Sequence, residues 1–175
     1  MKNGKFFVLL FSAAIILGFP KLTFANSEYV LPYPSFMPGN FLYQPRQLIS
    51  KINYYLYFGD FGKFDYFLKE SDHHLVEAKT LFEYKQYFLG VNALEKSNNY
   101  FKQISIQLVK AKKNKKNTSE KEIILKKASE KHIEILTKLK EELPEHFRWT
   151  PEKSPPTEIN FRQLIDTSII IRKGL

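Results

Sequence analysis

The chain predicts an all-α fold, an antiparallel helical hairpin or bundle of about four helices, and three observations predict it. Apolar residues recur at intervals of three and four over long stretches. The two longest stretches are joined by a connection too short for anything but an antiparallel turn. No run alternates with period two for long enough to argue a sheet, and Ser168–Ile171 is the one β-like patch in the sequence. With 175 residues, 43% of them hydrophobic, the chain can fill one core.

Residues 1–25 read as an export segment. Lys2 and Lys5 precede an uncharged apolar run of 14 residues, Phe6–Phe19; Pro20 then breaks any helix, and Thr23-Phe24-Ala25 offers a small-residue cleavage site before Asn26. A membrane span needs about 20 apolar residues, which favours a cleaved signal peptide. An uncleaved anchor is the competing expectation, because Leu22 and Phe24 extend the apolar stretch past Lys21. Either way the rest of the chain is expected outside the cytoplasm, secreted or tethered by residues 6–24.

Residues 26–43 form a Pro-rich extended strap. Pro32, Pro34 and Pro38-Gly39 exclude a helix, while Tyr29, Leu31, Phe36 and Phe41 suit a strap laid across other helices. The helical domain spans residues 44–143. Its first helix opens at Pro45, which the first turn tolerates, and runs to about Tyr57. It is expected to bury Leu48, Ile49, Ile52, Tyr55 and Leu56, and Gly59-Asp60-Phe61-Gly62 ends it as a turn. The second helix, Lys63–Tyr84, carries Phe64, Phe67, Leu68, Ser71, Leu75, Ala78, Leu81 and Phe82 on one face. The third carries a heptad-like seam, Tyr87, Val91, Leu94, Asn98, Phe101, Ser105 and Leu108, with Asn98 and Ser105 as polar interruptions. Lys110–Thr118 reads as a longer turn. The fourth helix, Ser119–Leu143, has the stripe Ile124, Ala128, Ile135, Leu136, Leu139 and Leu143. Ser119 and Glu122 predict a capping box at its start, and Pro144 stops it. The tail, residues 144–175, holds Pro151, Pro155 and Pro156 and reads as mostly extended, with a short helix over Ile159–Ile171.

Two stretches carry a family likeness: LPYPSFMPGNFLYQPRQLISKI (Leu31–Ile52) and FDYFLKESDHHLVEAKTLFEYKQYFLGVNALEKSNNYF (Phe64–Phe101). Over roughly Leu31–Leu108 the chain resembles a bacterial exported helical domain family of unknown function, found behind signal peptides or single N-terminal anchors. Pro38–Tyr43 stands in for the family's Pro-rich opening and Ser71–Ala78 for its second element. His74 occupies a place where the family usually has a basic residue, and Gln44-Pro45-Arg46 departs from its Leu-Lys. The resemblance implies an exported α-helical module with no established activity, and it carries over no functional residues. The hairpin is also slightly similar to a tetratricopeptide unit, with Ala78 and Ala93 as small packing residues, but no second unit follows at a fixed period.

Charge and composition exclude several function classes. Without cysteine there are no disulfides, thiolate chemistry or Cys-ligated zinc. Beyond residue 25 the chain carries 24 basic against 18 acidic residues, a net +6, and only four of the basic residues are Arg. Nucleic-acid recognition leans on the bidentate fork of Arg, so no nucleic-acid partner is expected. No Gly-rich phosphate loop, Gly-x-Ser-x-Gly elbow or Ser-x-x-Lys box occurs, and neither a catalytic residue nor a cofactor is expected.

Two clusters remain. Glu70, His73, His74 and Glu77 are spaced three to four apart on one helix, and Glu-x-x-His is half of the motif from which di-metal bundles are built. Such sites need a second copy and two more carboxylates, so a solvated polar face is the plainer reading. Lys110, Lys112, Lys113, Lys115 and Lys116 suit an anionic membrane or wall surface, or else a turn kept soluble by charge. The sequence therefore predicts a non-enzymatic, exported or membrane-tethered interaction module of the cell envelope, with envelope proteins or an anionic surface as partners. The alternative is a small metal- or cofactor-binding helical protein using the Glu70–Glu77 face. The sequence does not set the oligomeric state.

Overall fold

The computed structural model describes residues 28–34, 36–150 and 155–174. Among them the chain forms five helices and one two-stranded sheet: α1 (Tyr43–Leu56), α2 (Gly59–Glu83), α3 (Tyr87–Lys113), α4 (Ser119–Glu142), β1 (His146–Trp149), β2 (Thr157–Asn160) and α5 (Phe161–Lys173). The helical bundle expected from the periodicity is present. The export segment expected over residues 1–25, with its expected cleavage after Ala25, lies outside the described residues.

α2 and α3 make the antiparallel hairpin that the Tyr84–Tyr87 connection requires, and they are the most closely packed pair. The turn is set by Lys85 in the left-handed region (φ 58). Its N–H bonds the Phe82 carbonyl at 2.9 Å, and the Gln86 N–H bonds that of Leu81 at 2.8 Å. That pattern occupies the carbonyls a helix end leaves free. Lys115 (φ 56) closes α3 in the same way, with Lys116 N–H on the Ala111 carbonyl. Gly90 allows the hairpin its closeness, because a Cβ there would stand 2.5 Å from the Phe82 ring.

The stripes read from the sequence face the core on α2, α3 and α4. They assemble into two apolar clusters. One holds Leu75, Leu81, Phe82, Leu94, Leu136 and Leu139 with Phe161 and Ile165; the other holds Phe64, Phe67, Phe101, Ile104, Leu108 and Leu125. Between them, α2, α3, α4 and α5 each carry buried polar residues at one level: Ser71 and Asp72, Ser97 and Asn98, Ser129 and His132, Ser168 and Arg172.

Several expectations need correction. α1 buries none of its residues, and Leu48, Ile49, Ile52, Tyr55 and Leu56 are 52% to 72% exposed. It turns its polar and tyrosine side to the bundle instead. Ser50 Oγ lies 3.5 Å from Tyr66 Oη, and Tyr54 and Tyr57 set their rings against Tyr66. Gly59–Gly62 is the first turn of α2 rather than a separate loop, with Gly59 at φ 68 relieving the bend. α3 continues to Lys113, so the lysine cluster straddles a helix end and the turn after it. Thr118, not Ser119, is the N-cap of α4. The Thr118 side chain accepts from none of the helix N–H groups and donates instead to Glu122 Oε1 at 2.7 Å, while Asn117 Oδ1 accepts from Ser119 N–H at 3.1 Å.

The tail is less extended than expected and supplies part of the core. β1 and β2 pair antiparallel, His146 opposite Asn160 and Trp149 opposite Thr157. Phe147 meets Tyr87 at 4.7 Å between ring centroids, and Trp149 folds back to stack on Phe88. Ser168–Ile171 is helical, not β. The Asn160 side chain accepts from Gln163 N–H at 2.8 Å to start α5, and the four-three-four spacing of Phe161, Ile165, Ser168 and Arg172 puts all four on a buried face.

Candidate functional site

Two polar sites lie within the bundle, one buried and one open. The buried site is the layer between the two apolar clusters. Asp72 on α2 accepts from Tyr29 Oη of the strap at 2.6 Å and from His132 Nε2 on α4 at 2.7 Å. The other ring nitrogen, Nδ1, accepts from Arg172 Nε at 3.3 Å, so His132 is the neutral Nε2–H tautomer. Burial drives its pKa below the ordinary imidazole value; Arg172 adds to that, against the pull of Asp72.

Arg172 is fully buried. Its Nη1 donates to the Ser168 carbonyl at 3.0 Å and to Asn98 Oδ1, and its Nη2 to Ser97 Oγ at 2.9 Å. The guanidinium carbon sits 5.0 Å from the centre of the Phe101 ring. Asn98 Nδ2 donates to Ser168 Oγ, and Ser129 Oγ donates to the Arg172 carbonyl. Burial pushes the Arg172 pKa down to about 9, with Asp72 opposing, and the group stays cationic at neutral pH. Asp72 and Arg172 thus balance charge through an imidazole. Among the described residues, no buried side-chain nitrogen or oxygen lacks a partner.

The open site is a cleft of about 190 Å³ between α1, α2 and α3, lined by Arg46, Gln47, Ser50, Lys51, Glu70, His74, Lys96 and Tyr100. It brings together two of the four residues of the Glu70–Glu77 face. His74 stacks on Tyr100 with planes 4° apart and donates from Nδ1 to Glu77 Oε2 at 2.8 Å. The other Glu77 oxygen accepts from Tyr43 Oη at 2.8 Å. Burial works to raise the Glu77 carboxyl, but the hydrogen bonds from His74 and Tyr43 outweigh it and hold the group below the ordinary range. Burial, then the Glu77 bond, pushes Tyr43 up to about 12. His73 is half-buried and does not line the cleft. Among the described residues no three His, Asp or Glu side chains are placed to hold a metal ion. The reason is local: both Glu77 oxygens and one His74 nitrogen already serve other protein groups.

The five lysines are all exposed at the α3–α4 connection. Lys112 pairs with Glu122 at 2.8 Å and Lys116 with Asp60 at 2.9 Å. Sequence reasoning missed Asp72, His132 and Arg172. The signal for them was present: Ser71, Asn98 and His132 each interrupt an apolar stripe.

The family model described as a domain of unknown function (DUF5667) matches residues 35–146, and the chain belongs to that family. The match extends the resemblance seen over Leu31–Leu108 through α4 to the start of β1. No curated protein and no solved structure matches the chain.

Proposed function

We propose that this member of the DUF5667 family is a non-enzymatic interaction module of a bacterial cell envelope, exported or held at the membrane through residues 1–25. What carries the reading is how the reactive groups are used. Asp72, His132 and Arg172 have the makings of a proton relay, yet each is committed to a neighbour in a buried layer. A general base must reach a substrate proton, and His132 is fully buried with both ring nitrogens already bonded to Asp72 and Arg172. The layer instead ties the strap, through Tyr29, and the last helix, through Arg172, to the hairpin. Beside the open cleft His74 bonds Glu77, which also holds Tyr43, an arrangement that suits a fixed scaffold better than a metal centre.

Fractionation with intact-mass measurement tests the reading. The expected product begins at Asn26 in the exported fraction, or keeps its full length in the membrane fraction. A full-length chain found only in the cytoplasm overturns it. So does stoichiometric iron, zinc or copper that is lost in a His73→Ala/His74→Ala variant.

A further inference from the structure

α1 is amphipathic with its faces reversed. Leu48, Ile49, Ile52, Tyr55 and Leu56, spaced i, i+1, i+4, i+7 and i+8, make one continuous stripe, and it is the stripe that faces solvent. Phe41 before the helix and Phe58 after it are 82% and 80% exposed and add apolar area at its two ends. The opposite side is already engaged through Tyr43, Ser50, Tyr54 and Tyr57. A helix held by its polar side while offering five large apolar residues to water is unfinished without something to cover it.

Charge identifies the cover. From Tyr29 to Gly59 the chain contains no Asp or Glu, and its two cations, Arg46 and Lys51, lie on either side of the apolar stripe. At the far end of α1 the next helix begins beside the lysine cluster, since Asp60 bonds both Asn114 and Lys116. Exposed Lys113 and Lys115 therefore stand at the same end of the molecule as Leu56 and Phe58. A second copy is disfavoured, because a two-fold contact through this stripe would bring the cations Arg46 and Lys51 of one copy against those of the other, with no acid in α1 to pair them. Apolar and tyrosine side chains flanked by cations, on a helix that can lie flat, match the boundary of an anionic bilayer.

We propose that α1 is a membrane-surface helix, its Leu48–Leu56 stripe seated in an anionic lipid leaflet with Arg46 and Lys51 reaching the headgroups. The inference takes its setting from the envelope reading, but it fails or stands separately, since lipid contact is measured without reference to where the cell sends the protein.

The chain has no cysteine, so a single introduced one can be labelled uniquely. Nitroxide at Ile49→Cys, Ile52→Cys or, on the exposed face of α4, Ile123→Cys reports immersion in the full-length protein. With vesicles of phosphatidylglycerol and phosphatidylcholine, accessibility to oxygen over a nickel chelate should rise several-fold at 49 and 52 and stay unchanged at 123. Pure phosphatidylcholine should give less. An Ile49→Asp/Ile52→Asp variant should keep its melting temperature and partition about tenfold more weakly, because the immersed apolar area is what binds. Three results overturn the proposal. Labels at 49 and 52 could stay water-exposed on bound vesicles. The same positions could be shielded without lipid and become exposed on dilution, which would mean a second copy. The Asp variant could partition like the wild type, which would leave residues 1–25 as the whole attachment.

Discussion

Arg172→Met tests whether the buried polar layer holds the bundle together. Methionine roughly keeps the volume, so the cavity contribution is small and the loss is mainly polar. Ser97 Oγ still donates to the Ser71 carbonyl, and the Ser168 carbonyl remains within α5. Two acceptors are truly abandoned, Asn98 Oδ1 and His132 Nδ1, each at a cost of about 1–3 kcal/mol. Asp72 also loses the cation that balanced it. Removing one partner of a buried charge pair costs about 3–5 kcal/mol, so the variant should unfold about 4 kcal/mol more easily at pH 7.5.

The pH dependence gives the second half of the test. In the wild type the His132 pKa lies below its unfolded value of about 6.5. The unfolded chain therefore takes up a proton first as pH falls. His132's stabilising contribution is full above about pH 6.5 and declines by about 1.4 kcal/mol per pH unit below it, until the depressed folded pKa is reached. Without Arg172 the ring keeps its burial and Asp72 but loses the neighbouring cation, so its pKa rises toward the ordinary value. The stability gap between the two proteins should then narrow as pH falls below about 6.5. The other histidines are common to both proteins and cancel. Urea unfolding at both pH values, with histidine NMR titration, reads the result. A gap under about 1 kcal/mol at pH 7.5, or one indifferent to pH, would refute the reasoning.

Three further outcomes follow from the packing and charge. Gly90→Ala should cost about 1–3 kcal/mol in urea unfolding, because its Cβ would stand 2.5 Å from a Phe82 ring that is itself buried; an unchanged midpoint would mean the hairpin has slack. Leu94→Asp and Leu108→Asp should each lower stability by several kcal/mol, roughly 3 or more, by placing a carboxylate in the core, while exposed Lys115→Asp stays near neutral; equal thermal shifts in all three would misplace the core face. Replacing Lys110, Lys112, Lys113, Lys115 and Lys116 together by Gln should weaken sedimentation with anionic vesicles at low salt and change little at high salt, where the screening length falls to about 3 Å at 1 M. Equal pelleting of wild type and variant at low salt would reduce the cluster to a solubility device.

How far the sequence foretold this molecule depends on what each signal could fix. The α2–α3 hairpin was legible because the Tyr84–Tyr87 connection permits one geometry and the Leu94, Asn98, Phe101 and Leu108 seam has one side to bury. α1 shows the limit of the same rule. Periodicity located the stripe Leu48, Ile49, Ile52, Tyr55 and Leu56, yet it says that a face is apolar and not what lies against it. The opposite face of α1 carries Tyr43, Tyr54 and Tyr57, whose rings can pack and whose hydroxyls can bond, so it competed for the bundle and won. In the tail the short helix expected over Ile159–Ile171 forms as α5, but the prolines hid the pairing of β1 with β2 and the Asn160 cap one residue ahead of a buried Phe. The polar layer was the hardest to foresee. Ser71, Asn98 and His132 each mark a break in an apolar stripe, but a break in one helix reads as a tolerated defect. Only the register between helices puts the breaks at one level, and only there can Arg172, at the end of the last helix, be satisfied without water.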